Sequence, residues 1–158
     1  MKKLLNALLC LSCCVLLWGC PYSSEVPISK PGPLDNRLVG TWQQKGSEDN
    51  SFTVSKDGAE YKIEKKEKKS GNVTVYKAIA SDVKGTKYLS IYENGGSSIS
   101  YSLYKVEVAS GNKTVVLTGI TENVKEKFTT PDELKAYIEK YQNLSFFFDK
   151  DAETYEKN

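Results

Sequence analysis

The spacing of apolar residues divides this chain into three parts. Positions 4–17 are almost continuously apolar, positions 38–121 alternate between apolar and polar residues in short runs, and positions 134–141 repeat at helical spacing. A period of two is typical of half-buried strands, and a period of 3.6 is typical of a helix that packs on a core. The pattern therefore predicts a mainly β domain with one C-terminal amphipathic helix, preceded by an apolar segment of a different kind.

The alternating part predicts seven strands and an eighth candidate. Turn signals separate them, among them Asp57-Gly58 and Asn94-Gly95-Gly96. Short strands joined by tight turns favour an antiparallel up-and-down barrel, with a sandwich as the alternative. The final residues, 151–158, are polar, and we expect them to be frayed. The predicted strands are 38–45, 51–55, 59–66, 72–80, 86–92, 98–108 and 113–121, with the eighth candidate at 124–129.

One predicted strand changes its apolar phase halfway along. Tyr101 and Leu103 share one face, whereas Tyr104 and Val106 fall on the other. A slip of one residue is what a β-bulge or a sharp bend produces. Because strands that wrap a barrel need such corners, we expect one here.

The predicted helix has well-marked limits. Thr130 is placed as the N-cap, Pro131 at the first helical position, and Glu133 where it completes a capping box, while Asn143 is a plausible stop. We expect the phenylalanines at 146–148 to seal one end of the core. The apolar stripe consists of Leu134, Tyr137, Ile138 and Tyr141.

The apolar segment at the start has the pattern of a secretory signal peptide, because Lys2 and Lys3 precede a run too short to span a membrane well. It ends in Leu17-Trp18-Gly19-Cys20, which resembles the lipobox of bacterial lipoproteins. In that family diacylglycerol alkylates the cysteine thiol, and a peptidase cuts before the cysteine. The resemblance implies cleavage between Gly19 and Cys20 and palmitate-type acyl chains on Cys20. An ordinary signal peptide or an uncleaved anchor is the alternative.

Residues 20–34 form the predicted tether between the anchor and the domain. Four of the five prolines lie in this segment, and proline favours extended polyproline II geometry. We expect an extended spacer, with an ordered arm packed on the domain as the alternative. Pro21 follows the cysteine. In the lipoprotein family an Asp at this position commonly signals retention in the inner membrane, so the resemblance implies that this protein resides in the outer membrane. The chain thus divides into a signal peptide (1–19), a lipidated tether (20–34) and a barrel domain (35–158).

Composition excludes several kinds of chemistry. The chain has no His, so it lacks an imidazole base and an imidazole metal ligand. Its four Cys all lie within the first twenty residues, which leaves the domain without a disulfide, a thiolate or a Cys-type zinc site. The net charge of +2 comes from Lys2 and Lys3, and a neutral domain argues against nucleic-acid binding. We expect a non-enzymatic protein without a metal or cofactor.

The head of the first strand, Leu38-Val39-Gly40-Thr41-Trp42, resembles the G-x-W signature of the lipocalin and calycin superfamily. The resemblance implies an eight-stranded up-and-down barrel in which Gly40 permits a tight start of the strand and Trp42 plugs the closed end. In that family a late arginine packs on the tryptophan; the only Arg of this chain is Arg37.

Two functions follow as hypotheses. The first is a lipid-anchored envelope protein whose barrel binds a small apolar ligand, with Trp42, Tyr76 and Tyr101 as candidate lining residues. Each has a plainer interpretation, Trp42 as barrel-floor core and the tyrosines as strand formers. The second is a surface interaction module, such as an adhesin, an inhibitor or an envelope-assembly accessory, that binds a protein or polysaccharide and has a filled barrel.

Overall fold

A computed structural model describes residues 22–47, 49–66, 71–96 and 98–158. The predicted signal peptide, its cleavage at Gly19 and the lipidation of Cys20 lie outside these residues and stay predictions. In chain order the described elements are β1 (Ser23–Ser24), a 3₁₀ helix (Asn36–Leu38), β2 (Gly40–Gln44), β3 (Ser51–Asp57), β4 (Glu60–Lys66), β5 (Val73–Val83), β6 (Thr86–Glu93), β7 (Tyr101–Val108), β8 (Thr114–Gly119), α1 (Pro131–Tyr141) and β9 (Glu153–Lys157).

Eight strands form a closed antiparallel barrel. From β2 to β8 each strand pairs with the next, and β9 lies between β8 and β2. Tyr155 is opposite Gln44 on one side and Val115 on the other, so the sheet has no gap at this point. The predicted mainly β fold, an antiparallel up-and-down barrel with one C-terminal helix, is confirmed, and it is compatible with a lipocalin-like barrel.

The closing strand is not the one that the sequence indicated. Residues 124–129 contain no strand, and the segment expected to be frayed holds β9. Only Tyr155 of this strand is a large apolar residue, and its ring turns into the barrel while Thr154 and Glu156 face outward. The backbone of β9 pairs with both β8 and β2. This pairing orders a strand whose side chains give only a weak strand signal in the sequence.

The predicted bulge in β7 is wrong. This strand keeps an unbroken register with β6 and with β8. The apolar phase changes because each half of the strand buries a different face. Tyr101 and Leu103 point outward into a core on the outside of the barrel, whereas Val106 points inward.

The barrel wall therefore separates two apolar clusters. The inner core lies within the barrel, and the outer core lies on the outward face of β5, β6 and β7. The inner core consists of Trp42, Val54, Tyr61, Ile63, Ala78, Leu89, Val106, Val115 and Tyr155. The outer core consists of Tyr22, Ile28, Ile79, Val83, Tyr88, Tyr101, Leu103, Ile120, Val124, Leu134, Ile138 and Phe147.

The residues predicted to form a free spacer cover this outer core instead. Strand β1 pairs with the first residues of β7, and the chain then crosses β6 and β5. The Ile28 side chain is fully buried, and its N–H donates to Ser90 Oγ at 3.1 Å. Gly32 N–H donates to the Ala80 carbonyl oxygen at 3.0 Å. Residues 22–34 thus form an ordered arm, which was the alternative interpretation.

Helix α1 covers the rest of the outer core. Its start has the predicted capping box: Thr130 Oγ1 accepts from the Glu133 N–H, and the Glu133 carboxylate accepts from the Thr130 N–H. Leu134 and Ile138 are buried against the sheet. Of the three phenylalanines that follow, Phe147 is fully buried in the outer core and Phe146 is exposed.

Candidate functional site

The two ends of the barrel differ. At one end, called the floor, the 3₁₀ helix lies beside the start of β2. At the other end, called the mouth, lie the β2–β3, β4–β5 and β6–β7 connections and the two ends of the long β8–β9 connection. The helix within that connection, α1, lies on the outer wall, where Glu139 pairs with Lys84 of the β5–β6 turn at 3.7 Å. Consecutive strands run in opposite directions between the floor and the mouth. The inward-facing side chains of all eight strands therefore line the space between these two ends.

The barrel encloses a cavity of about 630 Å³. Its walls are largely apolar and include Phe52, Ile63, Tyr76, Ile91 and Leu117. Toward the mouth the lining becomes polar and exposed, with Lys65, Glu93, Ser98, Ser100 and Ser102. The cavity is therefore apolar in its depth and polar where it meets solvent, which is the arrangement of an amphipathic small-molecule site.

Trp42 forms the floor of this cavity. Its ring is almost fully buried, and its indole N–H donates to the Leu38 carbonyl oxygen at 2.8 Å. Lys157 Nζ lies 5.1 Å from the centre of the ring and donates to the Arg37 carbonyl oxygen at 3.2 Å. A cation from the end of β9 thus packs on the tryptophan, which is a cation–π contact.

Gly40 is required for this arrangement. Its φ of +139° is one that residues with a side chain rarely adopt, and an added Cβ would stand 2.5 Å from Lys157 Cε. The glycine two residues before the tryptophan therefore lets the strand begin where the lysine crosses it.

Three tyrosines of the cavity, Tyr61, Tyr104 and Tyr155, have raised pKa values and carry no charge at neutral pH. Burial, followed by the nearby Glu153 carboxylate, raises the pKa of Tyr104 to about 12. Burial also raises the pKa of Tyr61, whose hydroxyl donates to the Asp35 carbonyl oxygen at 3.0 Å. The Tyr155 hydroxyl donates to Glu153, and burial raises the pKa of Tyr155 as well. The formal charges in the lining therefore belong to Lys65, Glu93 and Glu153.

The three ligand-lining candidates from the sequence do not all meet here. Trp42 and Tyr76 line the cavity. Tyr101 lies on the opposite side of the barrel wall, in the outer core, with its ring 5.2 Å from that of Tyr92. Whether any of these residues binds a ligand stays a prediction. The position of Tyr101 could not be derived from alternation alone, because both faces of β7 carry apolar residues.

Sequence reasoning did not single out most of the lining. Phe52, Ile63 and Ile91 were assigned only to strands. The signal that could have found them is parity, since each is separated from a confirmed inward residue of its own strand by two positions. Ser102 follows the same rule, since it lies two positions before the inward Tyr104 of β7.

Within residues 22–47, 49–66, 71–96 and 98–158, no cluster of three acidic, Cys or His residues could hold a metal ion. In the same residues no helix has the length and apolar character needed to cross a bilayer.

Comparisons with known proteins found no matching family model, no similar curated protein and no similar solved structure.

Proposed function

We propose that this protein is a lipid-anchored bacterial envelope protein whose lipocalin-like barrel binds a small apolar ligand and catalyses no reaction. The observation that carries the ligand part is the cavity of about 630 Å³ above Trp42. Pockets for small molecules commonly measure roughly 300–1,000 Å³ and are lined mainly by apolar and aromatic side chains with a few polar groups.

The shape of the lining supports an elongated amphipathic ligand. Its apolar part would lie between Phe52, Ile63 and Ile91, and its polar end would lie near Lys65 at the mouth. The surface interaction module, which is the second hypothesis, predicts a filled barrel. The cavity favours ligand binding over it.

The anchor and the location rest on the sequence. Leu17-Trp18-Gly19-Cys20 supports acylation of Cys20, and Pro21 in the next position supports the outer membrane. The lack of His throughout the chain, and of Cys beyond position 20, supports a non-enzymatic role.

Native mass spectrometry of the full lipidated protein, purified from its host membrane in detergent, tests the ligand. We expect a bound small molecule that survives purification. Ser102→Phe places a ring in the cavity and should abolish the extra mass. Ser55→Phe makes the same change on the outward face of β3 and should leave the extra mass in place. The proposal would be contradicted if the parent protein carried no bound molecule, or if both variants retained the bound molecule equally.

Metabolic labelling with a palmitate analogue tests the anchor. The label should mark the protein and disappear in Cys20→Ser. Cys14→Ser, six residues earlier in the chain, should keep it. Label that persists in Cys20→Ser would refute acylation at that cysteine.

A further inference from the structure

Four large apolar side chains are exposed among the described residues, each between 41% and 56%, and three of them lie at one end of the barrel. Val73 begins β5 and Ile99 lies in the β6–β7 connection, both at the mouth. Phe146 lines a surface pocket together with Gln44, the last residue of β2, and so also lies at the mouth. The fourth, Leu144, follows α1 on the outer wall. Single exposed apolar residues are ordinary on protein surfaces, but here three surround one opening.

The chain leaves toward Cys20 on the same half of the barrel. Tyr22 N–H donates to the Ile120 carbonyl oxygen at 3.0 Å, just beyond the mouth end of β8. Ser24 lies opposite Tyr101, the first residue of β7, and Ile99 is two residues from that partner. Strand β1 runs toward the mouth, so the N-terminal end of the arm is fixed on the outer wall in the mouth half of the barrel.

Phe146 lies on the other side of Ile120. The Phe147 carbonyl oxygen accepts from the Thr121 N–H at 3.1 Å, and Phe148 is opposite Ile120. Exposed apolar residues thus flank the exit of the chain on both sides.

The length of chain between the fixed end of the arm and the proposed anchor is short. Ile28 and Tyr22 are buried, and the Tyr22 hydroxyl donates to the Glu126 carbonyl oxygen at 2.7 Å. Only Pro21 separates Tyr22 from Cys20, and two residues span at most about 7 Å. A bilayer that holds acyl chains on Cys20 must therefore come close to the mouth half of the barrel.

We infer that the mouth rim, formed by Val73, Ile99 and Phe146, rests on the phospholipid bilayer that holds the acyl chains of Cys20. This inference rests on the proposed lipid anchor. Apolar side chains gain about 25 cal/mol for each Å² of apolar surface that they remove from water. The cavity then opens at the membrane surface, so that an apolar ligand passes between bilayer and barrel without crossing bulk water.

Depth-dependent quenching tests the orientation of the anchored protein. The mature acylated chain has no free thiol, since Cys10, Cys13 and Cys14 precede the cleavage site and Cys20 is alkylated. Ile99→Cys and Phe146→Cys place a fluorescent label on the rim. Ser110→Cys places the same label in the β7–β8 turn at the floor, where the residue is exposed.

The labelled proteins are reconstituted in vesicles of phosphatidylethanolamine and phosphatidylglycerol that contain spin-labelled lipids. We expect the two rim labels to be quenched at least threefold more strongly than the floor label. Equal quenching at all three positions, or stronger quenching at position 110, overturns the inference.

Intact mass spectrometry of the same samples separates this inference from the proposed function. If Cys20 carries no acyl chains, the proposed anchor fails and the rim inference falls with it. If Cys20 is acylated but aqueous iodide, rather than the spin-labelled lipid, quenches the rim labels, the rim inference fails alone. The rim would then be a surface for a protein partner.

Discussion

The outer and inner cores share one sheet but differ in how completely they are filled. In the outer core Ile28, Val83, Leu103, Ile138 and Phe147 have no exposed surface at all. The inner core surrounds a cavity of about 630 Å³. The same strands therefore support a tightly packed apolar cluster on one face and an unfilled one on the other, which separates the densely packed part of the molecule from the part that we propose as a binding site.

The difference has a geometric cause. The outer face receives side chains from three sources, namely the strands, the arm with Ile28, and α1 with Leu134 and Ile138. The interior receives side chains from the strands and, at the floor, from Leu34, Leu38 and Val39. An eight-stranded barrel is just wide enough for its own side chains to fill, or to hold one small ligand.

The largest expected effect comes from removing the same side chain from each core. Ile28→Ala should lower the free energy of unfolding by about 3 kcal/mol, because a tightly packed site cannot collapse around the lost atoms. Ile91→Ala, at the cavity wall, should lower it by only about 1 kcal/mol, because that side chain is already half-exposed. Urea unfolding followed by circular dichroism measures both. Equal losses would show that the inner core packs as tightly as the outer.

Gly40→Ala tests the floor of the inner core. The positive φ of Gly40 and the nearby Lys157 side chain should together reduce stability by about 2 kcal/mol. Gly58→Ala is the control, because its φ is also positive but nothing lies within 4 Å of the added methyl group; we expect about 1 kcal/mol there. The same urea unfolding serves, and a smaller loss at Gly40 than at Gly58 would contradict the role assigned to the floor.

Thr130→Ala tests whether helix α1, which covers the outer core, contributes to stability independently of the cavity. Loss of the N-cap should reduce stability by about 1 kcal/mol, while the mass of the bound molecule stays unchanged in native mass spectrometry. Thr130→Ser keeps the capping oxygen and should behave like the parent protein. Loss of the bound molecule in Thr130→Ala would show that the two cores are coupled.

The smallest expected effect concerns Asp149, on the segment where the outer core meets the mouth. Burial, followed by the Glu122 charge, raises the pKa of this carboxyl. Its charged form is therefore disfavoured in the folded state, and stability is lost as the pH rises from the ordinary range of an aspartate through the raised pKa. Asp149→Asn should be more stable than the parent at pH 7, and the difference should vanish below pH about 4. A difference that grows toward acid pH would have the wrong sign.

Much of the barrel could be predicted from local pattern. Alternation predicted a strand at 59–66, close to the observed β4 (Glu60–Lys66), and the spacing of Thr130 and Glu133 defined the start of α1. These signals are local, because the period of two and the capping box depend on residues a few positions apart.

The errors came from contacts between distant parts of the chain. The prolines of the arm favour extended backbone, whereas the burial of Ile28 depends on a pocket formed by strands fifty or more residues later. The phase change in β7 has two physical explanations, a bulge or two cores, and only the position of the arm and helix decides between them. Likewise, Lys157 meets Trp42 only because β9 closes the barrel.

That closing strand also governs the order of assembly. Arg37 and Lys157 make contact across 120 positions of sequence, and β2 has only one neighbour until β9 arrives. Such long-range pairing is slow, since a large loop must close before any contact compensates the lost entropy. A chain emerging N-terminus first therefore keeps an unpaired edge on its first barrel strand until Glu153–Lys157 has been made, and the barrel cannot close before that segment is available.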